Sequence, residues 1–264
     1  MEWWLGYLAI GAAVGFFAGM LGIGGGAIMV PLLVMLFEVQ GLPKTHILHL
    51  AVGTAMATIL FTSLSSVRAH AARGAVRWDI ARNITPGILV GGLIGSGVAA
   101  VISTAAFAAL FALMIYGAAT SALIEHRPKP SRQPPGFAGM FVAGFVISAL
   151  SAFAAIGGSF LTVPFMLWCN VPLLSAIGTA AVIGFPIALA GSIGFMITGW
   201  NVAGLPPYSV GYVYLPALAG IVAAGMSTAP AGAAAAHRMP TKWLRRIFAG
   251  LLYVLATRML ASFW

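Results

Sequence analysis

The chain has 264 residues, of which 61% are hydrophobic and only 6% are charged, with a formal net charge of +9. Soluble domains carry about 25% charged residues, so this composition excludes a water-soluble fold and indicates a polytopic membrane protein. The positive charge is typical of basic residues in the cytoplasmic loops of such proteins and does not require a nucleic-acid partner.

The predicted spans are apolar runs of about 20 residues or more, the length that crosses the hydrocarbon core of a bilayer. In chain order they cover 3–37, 47–67, 83–101, 105–124, 137–169, 173–199, 209–235 and 244–263. The first run begins with Trp3 and Trp4, which are typical of an interfacial helix end. The first and fifth runs are long enough to contain two helical arms each.

Glycine clusters at residues 22–26 and 155–159 predict breaks inside these two long runs. Glycine destabilises a helix interior by about 1 kcal/mol relative to alanine. Non-helical backbone at membrane depth survives only where it is buried in protein or lines a water-filled cavity. Each long run is therefore predicted to fold back as a re-entrant hairpin. The alternative is that the glycines only let neighbouring helices pack closely.

The two halves of the chain carry the same motifs in the same order, which indicates an internal duplication. The shared motifs are Ile-Gly-Gly at 23–25 and 156–158, Val-Pro at 30–31 and 163–164, and AVGTA at 51–55 matching AIGTA at 176–180. A linker rich in Pro and charge separates the halves. The predicted division is a first transmembrane repeat over 1–124, a cytoplasmic linker over 125–136 and a second transmembrane repeat over 137–264.

The basic residues indicate how the second repeat is oriented. If every apolar run crosses once, Lys44 and the basic residues between 238 and 246 lie opposite the others. If the two glycine-broken runs fold back, all Lys and Arg residues except Lys44 and Arg258 share one face. The positive-inside rule favours the second arrangement. It predicts an all-α fold with two halves in inverted repeat, each with a re-entrant hairpin and three transmembrane helices, and both termini in the periplasm.

The breaks are the predicted binding site. A helix that begins at a break directs unpaired N–H groups and the positive end of its dipole toward the break. Two such breaks facing each other near the midplane are predicted to bind a small anion. The candidate substrate-binding residues are Gly24, Gly25, Gly26, Gly157, Gly158, Ser159, Thr54, Thr179 and His49. For the two threonines, a hydrogen bond to a carbonyl of their own helix is the alternative.

Coupling has one candidate side chain. No Asp or Glu lies in the middle of a predicted span, which disfavours carboxylate-based coupling. His49 is the candidate carrier for H⁺, whereas Na⁺ would require backbone carbonyls of the unwound segments. The basic cluster Arg68, His70, Arg73 and Arg77 is interpreted as a topology signal, with anion recruitment to the inner mouth as the alternative. No cofactor or metal site is predicted.

The segments GFFAGMLGIGGGAIMVPLL, AVGTAMATI, RAHAARGAVRWD, IGTAAVIGFPIALAGSIGFMITG and YVYLPALAG, in this order, resemble the sulfite exporter TauE/SafE family of bacterial membrane proteins. The resemblance implies a secondary transporter in the bacterial inner membrane. It also implies that the protein exports sulfite, a sulfonate or another small sulfur-containing or organic anion. Ser159 stands where the first half has Gly26, which predicts an asymmetric site.

Three other functions compete with a carrier. A passive anion channel could use the same glycine breaks. An intramembrane enzyme is disfavoured because the sequence has no HExxH, no paired intramembrane Asp and no GxSG serine motif. A scaffold would bind no small anion. The expected partners are therefore an anionic substrate, H⁺ or Na⁺ as coupling ion, and the lipid bilayer, without nucleic acid.

Overall fold

The computed structural model describes residues 3–21, 25–72, 74–124, 133–236 and 241–263. Within these ranges the chain is almost entirely helical, which confirms the predicted all-α class. The helices are α1 (Trp4–Leu21), α2 (Gly26–Val39), α3 (Ile47–Ala72), α4 (Trp78–Val101), α5 (Thr104–Ile124), α6 (Phe137–Ala154), α7 (Ser159–Trp168), α8 (Leu173–Gly199), α9 (Leu215–Ala236) and α10 (Thr241–Ser262). Between α8 and α9 lies a short antiparallel hairpin of β1 (Ser209–Val210) and β2 (Val213–Tyr214).

Six of the described helices are long and apolar enough to cross a membrane, namely α3, α4, α5, α6, α8 and α9. This set confirms a multi-pass membrane protein and differs from the predicted crossings at two helices. The α6 helix, which the sequence assigns to a re-entrant hairpin, is long enough to cross alone, since it is an apolar helix of 18 residues. The α10 helix is not in the set because Lys242, Arg245 and Arg246 occupy its start.

The outer surface of the bundle is apolar. Large aliphatic side chains stand exposed along several helices, among them Val101, Leu113, Val142, Ile197 and Val254. Soluble monomers rarely expose continuous apolar surface of this kind, because water disfavours it. These faces are therefore suited to contact with lipid.

Two helix pairs are held together by small residues spaced four apart. Such spacing puts the glycines on one helix face and lets two backbones approach closely. A β-carbon at any of these glycines would overlap the partner backbone. The contacts pair Gly11, Gly15 and Gly19 of α1 with Ile221, Gly225 and Ala229 of α9, and Gly87, Gly91 and Gly95 of α4 with Phe141, Phe145 and Ala149 of α6. Both pairs run parallel, because the residue numbers rise together.

Helices α3 and α8 pack antiparallel at the centre of the bundle. Gly53, near the start of α3, faces Phe195 near the end of α8, and Gly191 faces Met56. Both helices are mostly buried. They carry the AVGTA and AIGTA motifs, so the two equivalent motifs lie at opposite ends of this central pair.

The first glycine-rich run folds back on itself. The α1 helix ends at Leu21 and α2 begins at Gly26. At the other end of these helices, the Tyr7 hydroxyl and the Gln40 side chain form hydrogen bonds of 2.7 and 2.9 Å. Because Tyr7 lies in the first turn of α1 and Gln40 follows α2, both ends of the hairpin lie at the same level.

The second run is interrupted in the same way, which confirms the predicted break. The α6 helix ends at Ala154 and α7 begins at Ser159. Met140 at the start of α6 shares a buried apolar cluster with Met166 and Cys169 near the end of α7. The two arms of this hairpin therefore also open toward one side.

Candidate functional site

The break between α6 and α7 is formed by backbone that only some residues can adopt. Ala155 has φ 47° and Gly158 has φ 63°, both in the left-handed region. At Gly158 the strain disfavours any side chain, and a β-carbon would also overlap Ile187. The Gly158 carbonyl accepts hydrogen bonds from the N–H groups of Leu161 and Thr162, which closes the first turn of α7.

The break before α2 is closed in the same manner. The Gly25 carbonyl accepts hydrogen bonds from the N–H groups of Ile28 and Met29, at 3.2 and 2.9 Å. Gly25 itself packs against α1, because a β-carbon there would meet Val14 and Ala18. The candidate Gly24 lies outside the described residues.

The two breaks meet inside the protein. Gly26, the first residue of α2, lies against the carbonyl group of Ala155, so closely that a β-carbon at Gly26 would overlap it. The Cδ1 atom of Ile59 in α3 would lie 3.0 Å from the same β-carbon. Of the predicted site residues, the structure therefore brings Gly26 next to the segment that contains Gly157, Gly158 and Ser159. All four are buried or half-buried.

Gly184 of α8 was not predicted and adds a feature to this site. It is buried, yet a β-carbon there would have a single described neighbour within 4 Å, the Gly157 carbonyl oxygen at 3.5 Å. Most other buried glycines of the bundle face a backbone that leaves no such room. The aligned motifs contained the signal for this space, since Gly184 stands where the first half has Ile59.

Thr54 and Thr179 form hydrogen bonds with the backbone that precedes two other helices. The Thr54 hydroxyl accepts the N–H of Tyr214 at 3.0 Å, just before α9. The Thr179 hydroxyl accepts the N–H of Arg77 at 2.9 Å, just before α4, and donates to the Ser175 carbonyl. Thr179 thus makes the bond within its own helix that the sequence left as the alternative. Direct binding of substrate by either threonine stays a prediction.

His49 lies in an aromatic cluster near the start of α3. Its Nε2 is 3.0 Å from the Ala99 carbonyl oxygen, so this nitrogen carries a proton and donates it. Its Nδ1 is buried and has no hydrogen-bond partner among the described residues. The ring stacks on Tyr212 and contacts Phe107 edge-on. Burial raises the pKa of the Tyr212 phenol, which keeps this neighbour neutral.

One ring connects His49 to the second break. Phe107 contacts both His49, at 5.0 Å between ring centroids, and Phe153, at 6.0 Å. Phe153 lies in the last turn of α6, two residues before Ala155. The phenyl rings of Phe107 and Phe153 therefore lie between the His49 imidazole and the break.

The basic cluster is described in part. Arg77 forms an exposed ion pair of 2.6 Å with Asp79, and this carboxylate raises the pKa of the Arg77 guanidinium. Arg68 is exposed. Arg73 and the side chain of His70 lie outside the described part of the chain. Within that part, no three His, Cys, Asp or Glu side chains are grouped so that they could hold a metal ion.

A bundle with several helices long enough to cross a membrane, and with two interrupted hairpins that meet in its interior, defines a polytopic membrane protein. The family model of the sulfite exporter TauE/SafE proteins matches residues 7–259, and the chain belongs to this family. It is a membrane transporter, in agreement with the resemblance in its motifs.

Proteins that carry transporter names are similar to most of the chain. A "Probable membrane transporter protein" of Haemophilus influenzae is 33% identical over 253 residues, which cover 96% of each chain. A protein of the same description from Methanocaldococcus jannaschii is 25% identical, over 79% of this chain and 77% of its own length. No solved structure matches the chain.

Proposed function

We propose that the protein is a secondary transporter that exports a small sulfur-containing or organic oxyanion, such as sulfite or a sulfonate, across the bacterial inner membrane. The observation that carries this proposal is the contact of Gly26 with the Ala155 carbonyl, which brings the two helix breaks together. The name of the family supports sulfite as the first substrate to test.

The chemistry of the breaks suits an anion. The N–H groups of Gly26 and Ala27 in α2 and of Phe160 in α7 have no acceptor among the described residues. Each helix dipole also places partial positive charge at the start of its helix. Among the described glycines at this site, Gly184 has open space beside it, next to the Gly157 carbonyl, and a ligand can approach the breaks from there. No carboxylate lies in these segments to repel an anion.

An inverted repeat is supported by contacts that occur twice with the halves exchanged. Thr54 contacts the residue before α9 as Thr179 contacts the residue before α4. A β-carbon at Gly53 would meet the Tyr212 carbonyl, and one at Gly178 would meet the Ala75 carbonyl. Equivalent helices α3 and α8 run antiparallel, which is the relation expected of inverted halves. These contacts favour repeats over 1–124 and 137–264, joined by the cytoplasmic linker 125–136.

The contacts between α1 and α9, and between α4 and α6, place a helix from each half in each pair. In the pair of α1 and α9, the Thr228 hydroxyl donates to the Ala12 carbonyl at 2.9 Å. At the equivalent place in the pair of α4 and α6, Gly91 lies against the Phe145 carbonyl. Each pair behaves as a unit because its backbones are in direct contact. Alternating access then consists of movement of these pairs around the breaks.

The periplasmic placement of both termini is supported by neighbours at the start of α3. The Lys44 ammonium donates to the Ser262 carbonyl at 3.1 Å, at the end of α10. Tyr7 in α1 contacts Tyr214 before α9 edge-on. Both ends of the described chain therefore lie at the side where few basic residues occur, as the positive-inside rule requires of a non-cytoplasmic face.

We propose H⁺ as the coupling ion, carried by His49, since its Nδ1 has no hydrogen-bond partner among the described residues and can accept a proton. Coupling to Na⁺ through backbone carbonyls is the alternative. A transporter of this type needs no cofactor and performs no covalent chemistry, so we expect no enzymatic activity.

The test is sulfite flux into vesicles that contain the purified protein. We expect saturable flux and exchange of external sulfite for internal sulfite, because a carrier binds one substrate per cycle. Gly184→Leu is expected to abolish flux by filling the space beside Gly157. Gly117→Leu is the matched control, since Gly117 is exposed on α5 with open space around it. Conduction that does not saturate would establish a channel, and absence of flux for all small oxyanions would contradict the proposal.

A further inference from the structure

Serine and threonine hydroxyls in these helices generally donate to a carbonyl one turn earlier in the same helix. This bond satisfies a polar group that lipid and apolar side chains cannot. Examples are Thr58, Thr85, Ser96, Thr120, Ser192, Thr198 and Ser227. A buried helical hydroxyl that has neither this bond nor another partner is an exception to this pattern.

Thr162 in the first turn of α7 is such an exception. Its side chain is fully buried, and its Oγ1 has no hydrogen-bond partner in the part of the chain that the structure describes. Its backbone N–H already donates to the Gly158 carbonyl, at 2.8 Å. The hydroxyl faces the break, since a β-carbon at Gly158 would lie 3.6 Å from Oγ1.

Ser148 of α6 also has a buried hydroxyl without a partner among the described residues. Its environment differs, because its Oγ lies against Gly92 of α4, where a β-carbon would come within 2.8 Å. Ser148 therefore belongs to the close packing of α4 on α6. Thr162 alone combines an unpaired buried hydroxyl with the start of a helix at the break.

The polar groups at the breaks are concentrated in the second half. Aligning the Ile-Gly-Gly motifs places Ser159 opposite Gly26 and Thr162 opposite Met29, and Gly184 stands opposite Ile59. The first half thus offers a methionine and an isoleucine where the second offers a hydroxyl and open space. An anion bound between the breaks would find its hydrogen-bond donors on the α7 side.

We propose that Thr162 is a substrate-binding and specificity-determining residue, whose hydroxyl donates a hydrogen bond to one oxygen of an oxyanion held at the start of α7. The inference rests on the proposed transport function and names the side chain that recognises the substrate. Ser159 lies three residues earlier, and its Oγ donates to the Gly157 carbonyl at 3.2 Å. Ser159 therefore already has a protein partner, whereas Thr162 has its donor available.

The test compares the affinity of purified protein for sulfite, measured by calorimetry, in Thr162→Val, Thr162→Ser and the unchanged chain. Valine preserves the shape of threonine and removes the hydroxyl, so we expect the Kd for sulfite to rise at least about tenfold, as a lost bond to a charged group predicts. Serine keeps the hydroxyl and should hold the Kd within about threefold. Thr198→Val is the control, because the Thr198 hydroxyl donates to the Gly194 carbonyl in the same helix. Thr198 also lies about three turns of α8 away from Ile187, the residue that packs against the break.

The outcomes separate this inference from the function on which it rests. If the unchanged chain binds and transports sulfite and Thr162→Val binds it with the same Kd, Thr162 is not a ligand and the transport proposal stands. A change confined to the melting temperature without sulfite has the same meaning, since it identifies a structural role. If the unchanged chain neither binds nor transports sulfite, a sulfonate or any other small oxyanion, both proposals are contradicted. Thr162→Ala replaces Thr162→Val should the valine variant fail to fold.

Discussion

The hydroxyl of Thr54 accepts a hydrogen bond from the backbone N–H of Tyr214, at 3.0 Å, and thereby holds the start of α9 against α3. Thr179 does the same for the start of α4 through the N–H of Arg77. Helix starts leave N–H groups unsatisfied, and a hydroxyl from a neighbouring helix removes this deficit. The two threonines of the duplicated motif thus join one half of the chain to the other.

Thr54→Val and Thr179→Val are therefore expected to destabilise the protein by similar amounts, about 1 kcal/mol each, the usual value of a buried hydrogen bond. The measurement is thermal unfolding in detergent, where we expect a melting temperature lower by about 2–4 °C. Thr54→Ser and Thr179→Ser retain the hydroxyl and serve as controls. If the valine variants melt as the unchanged protein does but bind sulfite more weakly, these hydroxyls bind substrate directly, as the sequence predicted.

Gly26→Ala is expected to abolish most sulfite flux. A β-carbon at this position overlaps the Ala155 carbonyl, so alanine must push the start of α2 away from the second break. Flux into vesicles is measured beside Gly97→Ala, whose β-carbon would meet nothing within 4 Å. Flux equal to that of the unchanged chain in Gly26→Ala would show that the contact between the breaks is not needed for transport.

His49→Gln is expected to uncouple sulfite flux from a pH gradient while leaving sulfite binding measurable. Glutamine can still donate to the Ala99 carbonyl, and it has no nitrogen that accepts a proton as Nδ1 does. Flux is compared with and without an imposed gradient. If the variant still responds to the gradient as the unchanged chain does, His49 is not the H⁺ carrier. A requirement for Na⁺ in both proteins would favour the backbone-carbonyl alternative.

The inverted arrangement predicts that the loop after α8 and the end of α3 lie on opposite faces of the membrane. Ala203 and Ala72 are exposed at these two places. After Cys169→Ala removes the single native thiol, Ala203→Cys should react with an impermeant maleimide added to intact spheroplasts. Ala72→Cys should react after the membrane is opened. Equal reactivity of both cysteines from outside would contradict the proposed topology.

Much of the fold was accessible from the sequence because glycine and charge act locally. The break between α6 and α7 follows from Gly157 and Gly158, which cannot sustain a helix and permit positive φ. The division into apolar runs follows from the length needed to cross lipid. The helices able to cross a membrane differ from the predicted ones at α6 and α10. The α6 helix is long enough to cross, and the basic residues of α10 lower its apolar content without shortening it.

The sequence does not show which residues pack against each glycine, because those residues are distant in the chain. The sequence predicts that Gly25 binds the substrate. The structure places Val14 and Ala18 of α1 against it, so Gly25→Leu would disrupt the hairpin itself. Direct substrate contact by Gly25 stays a prediction that needs another variant.

The register of the proposed repeat in its later part depends on how the helices pack. Gly95 lies against Ala149 as Gly232 lies against Phe16, so these exchanged contacts pair Gly95 with Gly232. Short motifs of common residues recur by chance within a helix, and only packing selects one register. Gly184 was not predicted for a related reason. It aligns with Ile59 of the first half, and this match indicates space at the site only once the structure shows Ile59 beside Gly26.

The central claim is that an oxyanion binds where the two breaks meet. The most direct measurement is an anomalous diffraction map of crystals grown with selenite, a pyramidal analogue of sulfite whose selenium atom can be located. We expect a selenium peak at the start of α7, within hydrogen-bond distance of the Thr162 hydroxyl through a selenite oxygen, and a weaker peak in Thr162→Val at a selenite concentration below saturation. A peak elsewhere in the bundle, with the space beside Gly184 and Gly157 empty at saturating selenite, would contradict the central claim.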